Sequence, residues 1–129
     1  MIFPWGNEWD GKRVNYCDKN CDQSWKDEAV DDGYPYAAPA DSYPGGASPY
    51  GALNMAGNVW EWTSSLDMVY PYQADDGRED ETATARRVVR GGSWSDFPSY
   101  VRAAYRFRGT PVFRDDNLGF RVVLVVAPR

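Results

Sequence analysis

Short runs with strand-like patterning occur in the second half of the chain. Residues 59–62 follow a Gly-Asn turn and predict a short strand. Residues 87–90 read Arg-Val-Val-Arg and predict a second strand, which enters a turn at Gly91 and Gly92. Along residues 101–108, apolar and aromatic side chains alternate with side chains that are mostly arginine. This alternation predicts a third, half-buried strand.

The remaining segments differ sharply in composition. Residues 119–127 form a β-branched run that is too short and too uniform for an amphipathic helix, so they predict a central, buried strand. Residues 1–49 are dense in Gly, Pro, Asn and Asp, which predicts irregular loops held by aromatic side chains. Residues 73–84 are polar and charged without apolar periodicity and predict a solvated loop.

Length and charge limit the class of protein. A chain of 129 residues suffices for one domain with one core. Its net charge of −5 repels phosphate backbones, so a nucleic-acid partner is not expected. No apolar stretch approaches the roughly 18 residues of a membrane span, and no signal segment is evident, so the default expectation is a cytoplasmic protein with the compartment left open.

The chain contains no histidine. Histidine is the commonest general base and a usual ligand of catalytic zinc and non-haem iron. Serine-histidine triads, zinc hydrolases and facial-triad oxygenases are therefore excluded within this chain.

Two cysteines are present, Cys17 and Cys21. Two thiolates cannot complete a tetrahedral zinc site, and their spacing is not the redox Cys-x-x-Cys. A short-loop disulfide and a pair of reduced structural thiols both remain open, and a copper or redox role is a further alternative.

Four motifs stand in order along the chain: Phe-Pro-Trp-Gly-Asn at 3–7, Asn-Met-Ala-Gly-Asn-Val-Trp-Glu-Trp at 54–62, Arg-Gly-Gly-Ser-Trp at 90–94 and Asn-Leu-Gly-Phe-Arg-Val at 117–122. Together they resemble the formylglycine-generating enzyme (sulfatase-modifying factor) family. The resemblance implies an α+β, C-type-lectin-like fold, loop-rich with short antiparallel strands and little helix. It implies a single domain over residues 1–129 that lacks the usual N-terminal part of the family domain.

The family includes copper-dependent formylglycine-generating oxidases, ergothioneine-type sulfoxide synthases and variable proteins of diversity-generating retroelements, and the fold alone does not choose among them. The oxidases bind copper through two cysteines, at positions that match Asp96 and Val101. Because soft thiolates are what Cu(I) needs, no copper is expected here and the resemblance leans away from an enzyme. The sulfoxide synthases hold iron through histidines of a helical domain outside this region.

The resemblance also implies calcium, which hard oxygen donors bind. One site would use the side chains of Asn54 and Glu61 with the carbonyls of Gly57 and Val59. The other would use the side chains of Asn15 and Asp32 with the carbonyls of Tyr16 and Tyr34. The alternative is that these polar residues only cap turns.

Residues 95–117 are predicted to be a variable, ligand-binding region. Its candidate binding positions are Ser95, Asp96, Phe97, Ser99, Tyr100, Tyr105, Phe107, Gly109, Thr110, Val112, Phe113, Asp115, Asp116 and Asn117. In retroelement-diversified relatives, such positions derive from asparagine-rich templates whose adenines are randomised. Asn or Asp codons ending in a pyrimidine reach every residue type in this set, and none of the fourteen is Lys, Glu, Gln, Met or Trp, which those codons cannot reach.

The sequence thus favours a non-catalytic domain that binds a protein or other macromolecular ligand through residues 95–117. Aromatic side chains there would supply rigid contact area, and Ser, Asp, Asn and Thr adaptable hydrogen bonds. The alternative is a degenerate or truncated domain of a formylglycine-generating or sulfoxide-synthase enzyme, and a structural accessory domain is a third possibility. Tyr105 and Phe107 are alternatively core residues, and the arginines, Arg121 above all, are expected to pair with carboxylates or stack on tryptophans.

Overall fold

The computed structural model describes residues 1–124 and contains one four-stranded sheet. The strands are β1 (Trp60–Leu66), β2 (Arg87–Arg90), β3 (Arg106–Gly109) and β4 (Leu118–Gly119). Their order is β3-β2-β1-β4. The β1–β2 and β2–β3 pairs are antiparallel as expected, whereas β1 and β4 run parallel.

Helix is scarce in the described part of the chain, where two 3₁₀ turns, Gly11–Arg13 and Pro44–Gly46, are the helical elements. None of these elements is long and apolar enough to cross a lipid bilayer. Most of residues 1–49 is irregular, as predicted.

Two strand predictions hold and one fails in part. The strand predicted at 59–62 is β1, which continues to Leu66, and the strand at 87–90 is β2. The predicted strand at 101–108 is wrong in its first half, because residues 101–104 form turns and only Arg106–Gly109 pairs with β2. The Tyr105 amide donates back to the Arg102 carbonyl at 2.9 Å, a turn bond that takes the backbone away from the sheet.

The apolar run at 119–127 is not a central buried strand in its described residues. Only Leu118–Gly119 pairs with β1, at the edge of the sheet, and Phe120 through Leu124 are exposed. Residues 125–127 lie outside the described residues. A β-branched run is buried only where other elements cover it, and within residues 1–124 nothing covers this one.

The core lies among the N-terminal loops and is rich in aromatic rings. Phe3, Val14, Tyr16 and Val101 are buried together, and Trp9 packs on them with its ring edge-on to Tyr16 at 4.9 Å between centroids. Irregular backbone is thus held by ring packing, as the composition predicted.

The polar segment at 73–84 is not wholly solvated. Arg78 is 4% exposed, and its guanidinium bonds the Asp76 carboxylate at 2.5 Å and the carbonyls of Val69 and Pro71. Its own carbonyl accepts from the Leu66 amide at 2.7 Å, which ties the loop to the end of β1. Periodicity could not reveal this, because a single buried arginine organises the loop.

Candidate ligand-binding surface

A glycine turn and one buried side chain position the segment 95–117. Gly91 and Gly92, which follow β2, have positive φ values of 99° and 75° that favour glycine. Val101 is fully buried beside Gly92, where a side chain on the glycine would clash with it. The segment between Gly92 and Val101 is therefore a loop pinned at both ends.

The start of this loop is fixed by hydrogen bonds. The Asp96 carboxylate accepts from the Ser93 amide at 2.9 Å and from the Ser93 hydroxyl at 2.6 Å. The Asp96 carbonyl accepts from the Cys17 amide, and the Ser95 carbonyl accepts from the Trp25 indole at 3.2 Å. Burial raises the pKa of Asp96 despite the bonds from Ser93. The loop thus rests on the region around the Cys17–Cys21 disulfide, which is formed in this structure.

A row of aromatic rings crosses the surface. Centroids of Phe97 and Tyr100 lie 4.4 Å apart, and those of Tyr100 and Tyr105 lie 4.6 Å apart. Trp60, from β1, continues the row, 6.0 Å from Tyr105 and 5.9 Å from Phe107. Four of these five rings belong to the candidate binding positions, and Trp60 is the buried ring on which two of them rest.

A small pocket of about 140 Å³ opens where this row ends. Trp60 and Val89 line it from the sheet. The candidate positions that line it are Phe107, Gly109, Phe113, Asp115 and Asn117. An apolar base with carboxylate and amide groups at its rim is typical of small binding pockets.

None of the fourteen candidate positions is buried. The exposed ones are Phe97, Ser99, Phe107, Thr110, Val112, Phe113, Asp115 and Asp116, and the half-buried ones are Ser95, Asp96, Tyr100, Tyr105, Gly109 and Asn117. Phe107 is 57% exposed, so it is not a core residue. Among the intervening positions Val101 is buried, but Arg102, Ala103, Ala104, Arg108 and Arg114 are exposed, so the segment is not an alternation of surface and core.

Five contributors to this surface were absent from the predicted set. Four of them line the pocket, namely Trp60, Val89, Arg108 and Leu118, and the fifth, Trp25, is 52% exposed and borders Ser95. Trp25, Trp60 and Val89 are distant in sequence from 95–117, and only tertiary contacts bring them there. Trp60 carried a usable signal, since it stands in the second of the four motifs.

The positions that match the family's copper cysteines offer no soft donor. Asp96 is an oxygen ligand engaged by Ser93, and Val101 has an isopropyl group packed in the core. Both cysteines of the chain are joined to each other elsewhere. This donor set does not fit Cu(I).

The first predicted calcium site does not fit a cation either. Arg121 bonds both Glu61 oxygens at 2.6 Å, and the same guanidinium donates to the Asn54 carbonyl at 3.0 Å. The Asn54 side chain donates to the Ala40 carbonyl. Gly57 is buried and Val59 half-buried beside this pair. The expected pairing of Arg121 with a carboxylate is therefore present. The Arg121 guanidinium takes up both oxygens of Glu61 that calcium would need.

The second set of predicted calcium ligands has a different environment. Asn15 is fully buried, and its Oδ1 has no hydrogen-bond partner within residues 1–124. The Asp32 carboxylate accepts from the backbone amides of Tyr16 at 3.2 Å and Tyr34 at 2.9 Å. Burial, reinforced by the charge of Asp18, raises the pKa of Asp32 to about 6. An orphaned amide oxygen and crowded carboxylates are groups that a cation would satisfy.

Comparison with known proteins gives consistent matches. The model of the sulfatase-modifying factor enzyme 1-like domain matches residues 1–126. Hercynine oxygenase of Mycolicibacterium smegmatis is 40% identical over 93 residues, which are 66% of this chain and 22% of the relative. Formylglycine-generating enzyme of Mus musculus is 35% identical over 124 residues, which are 93% of this chain and 33% of the enzyme. This chain thus spans about a fifth to a third of the length of these relatives.

Among solved structures, Treponema denticola variable protein 1 aligns with a TM-score of 0.60 at 21% identity, over 89% of this chain and 38% of that protein. At that identity the likeness concerns the fold. The loop-rich α+β architecture with little helix, predicted from the motifs, is confirmed.

Proposed function

Since this chain belongs to the family of sulfatase-modifying factor enzyme 1-like domains, we propose that it is a non-catalytic domain that binds a protein or other macromolecular ligand through residues 95–117. We further propose that this surface is diversified by a retroelement. The observation that carries the proposal is the row of accessible rings from Phe97 to Phe107, which ends in the pocket beside Phe113.

The chemistry of the row suits recognition. Tyrosine and phenylalanine bring large contact areas at a low cost in side-chain entropy. Tyr100 and Tyr105 are half-buried and held by ring contacts on both sides, so they are partly ordered before any ligand arrives. Asp115 and Asn117 at the pocket rim offer polar groups that can fix the orientation of a ligand.

The backbone of this loop is held mainly by contacts that do not involve its exposed side chains, so those side chains can be replaced. The loop is held by the Ser93 contacts of Asp96, by the buried Val101, and by the hydrogen bonds that the Cys17 amide and the Trp25 indole donate to its carbonyls. Three of these four supports do not depend on the side chains of candidate positions. Replacement of the exposed side chains therefore leaves most of the framework in place, as a diversified binder requires.

The alternative function is a catalytic one, and the identity to hercynine oxygenase favours it. Its difficulty lies in the donors, because the chain has no histidine and its two cysteines are bonded to each other. Metal-dependent oxidation by this chain would need metal ligands from another polypeptide segment.

We propose calcium as a structural ion at the second site, held by the side chains of Asn15 and Asp32 and the carbonyls of Tyr16 and Tyr34. The orphaned Asn15 oxygen and the raised pKa of Asp32 support this assignment. A divalent ion there would stabilise the N-terminal loops under the binding surface. We do not extend the proposal to the first site, because Arg121 occupies the Glu61 carboxylate.

The surface formed by the fourteen candidate positions of residues 95–117, called the recognition surface below, can be tested with a pair of displayed libraries. One library randomises the fourteen candidate positions, and the other randomises fourteen buried positions, including Val14, Tyr16 and Val88. Both are selected for folded display and then against lysozyme as a model protein. The first library should retain folded members and yield binders, and the second should lose display. Equal loss of display from both libraries would contradict the proposal.

Diversification has its own test. The coding segment for residues 54–66 and the one for 95–117 are sequenced deeply from a growing population of the source cells. Substitutions should concentrate at the first two bases of the codons for the fourteen positions, which correspond to the adenines of asparagine codons in the template. An even distribution between the two segments would show that the surface is not diversified, without bearing on whether it binds. Turnover of a cysteine-containing sulfatase peptide by the purified, copper-loaded chain would overturn the non-catalytic assignment.

A further inference from the structure

A second cavity lies on the face of the sheet that the recognition surface does not use. Alternation along the strands separates the two, because Trp60, Val89 and Phe107 line the pocket already described, whereas Val88 and Arg106 line this one. Its volume is about 150 Å³. Tyr70 from the loop after β1 closes one side.

Arginine side chains dominate the wall of this cavity. Arg90 and Arg106 are directly opposite each other on β2 and β3, and Arg78 adds a third guanidinium. Like charges directly opposite on neighbouring strands repel and destabilise a sheet. Three arginine side chains therefore surround one small cavity, although the net charge of the chain is −5.

The nearby carboxylates neutralise only some of these charges. Arg78 pairs with Asp76 at 2.5 Å, and Arg106 pairs with Asp67 at 2.7 Å. Arg90 has no carboxylate partner within residues 1–124, and its guanidinium bonds the carbonyls of Ala103 at 2.6 Å and Ala104 at 3.3 Å.

The other acidic groups of this region are already engaged. Glu61, the cross-strand neighbour of Arg90 on β1, gives both of its oxygens to Arg121. Glu79 accepts from the hydroxyls of Ser64 and Ser65. The space between Arg90 and Arg106 therefore favours an anion.

The rest of the lining indicates which kind of anion. Leu66 and Val88 contribute apolar surface, and the ring of Tyr72 stacks with the Arg78 guanidinium at 4.8 Å from its centroid. Inorganic phosphate or sulfate would make no use of Leu66 and Val88. A carboxylate matches the guanidinium fork, and a short hydrocarbon chain matches the apolar lining.

We propose that this cavity binds a short-chain carboxylate, with the charged group between Arg90 and Arg106 and the hydrocarbon body on Leu66 and Val88. The lining of this cavity shares no residue with the pocket of the recognition surface. A ligand of about six non-hydrogen atoms in an open cavity of this size binds on the order of millimolar.

The test is an NMR titration of the full chain with butyrate, read at the arginine Nε–H resonances. Butyramide is the matched control, because it has the same shape without the charge. We expect butyrate to shift the Arg90 and Arg106 resonances with saturation and butyramide to leave them in place. Absence of a saturable shift, or equal shifts from both compounds, would overturn the proposal without any variant being needed.

Variants then assign the position of the ligand. Arg106→Gln should weaken butyrate binding about tenfold, because one charge-assisted bond is lost. Arg114→Gln is the control, since Arg114 is exposed and lies outside the lining. Equal affinity in the two variants would place the anion elsewhere and refute the assignment.

Discussion

Gly92 lies so close to Val101 that a Cβ atom on the glycine would be 2.7 Å from the Val101 Cγ1. This contact connects the turn after β2 with Val101, the buried residue at the end of the loop that begins at Gly92. Two separate constraints act on the glycine. One is its φ of 75°, and the other is the lack of space.

The two constraints can be separated with a second glycine. Gly51 has φ 77°, but a Cβ atom added to it would meet no other atom within 4 Å. Gly51→Ala should cost only the left-handed backbone penalty, about 1–2 kcal/mol in the free energy of unfolding. Gly92→Ala should cost that and a further 1–3 kcal/mol, roughly, for overpacking. Chemical denaturation of both variants measures the difference, and equal losses would show that Val101 yields without cost.

Trp60 should carry much more of the stability than Phe113, although both line the same pocket. Trp60 is 8% exposed, so Trp60→Ala should cost about 3–5 kcal/mol through the cavity it leaves. Phe113 is 50% exposed, so Phe113→Ala should change the free energy of unfolding by less than about 0.5 kcal/mol. Thermal melts of the two variants check this, and a loss at Phe113 comparable to that at Trp60 would place Phe113 in the core.

Tyr100 should be intermediate between these two residues. It is half-buried, and its ring contacts Phe97 and Tyr105 at centroid distances of 4.4 and 4.6 Å. Each aromatic pair is worth about 0.5–1.5 kcal/mol, so Tyr100→Ala should cost about 1–3 kcal/mol. Tyr100→Phe keeps the rings and is the control, which should remain near the parent. A full loss in Tyr100→Phe would show that the hydroxyl, not the ring stacking, is what matters.

The sequence predicted those elements whose signal is local. Strand β2 lies at the predicted residues, because two valines between arginines and a glycine turn fix both its pattern and its end. The run after Gly119 had an equally clear composition, yet its described residues are exposed. Burial depends on a covering element, and no property of the run itself reports whether one is present.

In the candidate site, too, the features with a local sequence signal were predicted and those that depend on tertiary contacts were not. The candidate positions were predicted because their residue types are restricted, and the structure places all fourteen at exposed or half-buried positions. The participation of Trp25 and Arg78 in their respective sites arises from contacts across the chain, which neither periodicity nor composition encodes. The first calcium set failed to fit for a related reason, since Glu61 and Arg121 are 60 residues apart.

The raised pKa of Asp32, about 6 in the folded protein, predicts a pH effect on stability. Because the folded pKa lies above the ordinary 3.8, the contribution of this group is fully present below about pH 4 and is lost as pH rises through 6. The loss should be on the order of 1–3 kcal/mol. Asp32→Asn should remove this loss, so the difference in unfolding free energy between the two proteins should shift in that window in calcium-free buffer.

Asp31 is the control for Asp32, because its pKa is lowered by the bonds from Asn20 and Lys19. Asp31→Asn should alter the pH dependence in the opposite direction. Calcium binds the ionised carboxylate, so it should raise the melting temperature of the parent more at pH 7 than at pH 5, and should do nothing for Asp32→Asn. Calcium stabilisation that persists in Asp32→Asn would exclude this residue as a ligand.

The pair between Glu61 and Arg121 should be strongly coupled, because the guanidinium contacts both carboxylate oxygens at 2.6 Å and the Glu61 side chain is 17% exposed. A double-mutant cycle of Glu61→Gln and Arg121→Gln should give a coupling energy of about 1–3 kcal/mol. Each single change leaves one charge partly buried without its partner. The loss of unfolding free energy in the double variant should therefore be smaller than the sum of the losses in the two single variants.

The exposed pair of Lys26 and Glu28 is the matched control for that cycle. Its atoms lie 3.2 Å apart with side-chain exposures of 34% and 73%, so its coupling should be no more than about 0.5 kcal/mol. The cycle also bears on calcium, since a cation at Glu61 would have to displace Arg121. If added calcium lowers the Glu61–Arg121 coupling in the parent background, the ion competes for that carboxylate and the first site must be reinstated. If the coupling is unchanged by calcium while the melting temperature still rises, the ion is held elsewhere, as the environment of Asn15 and Asp32 indicates.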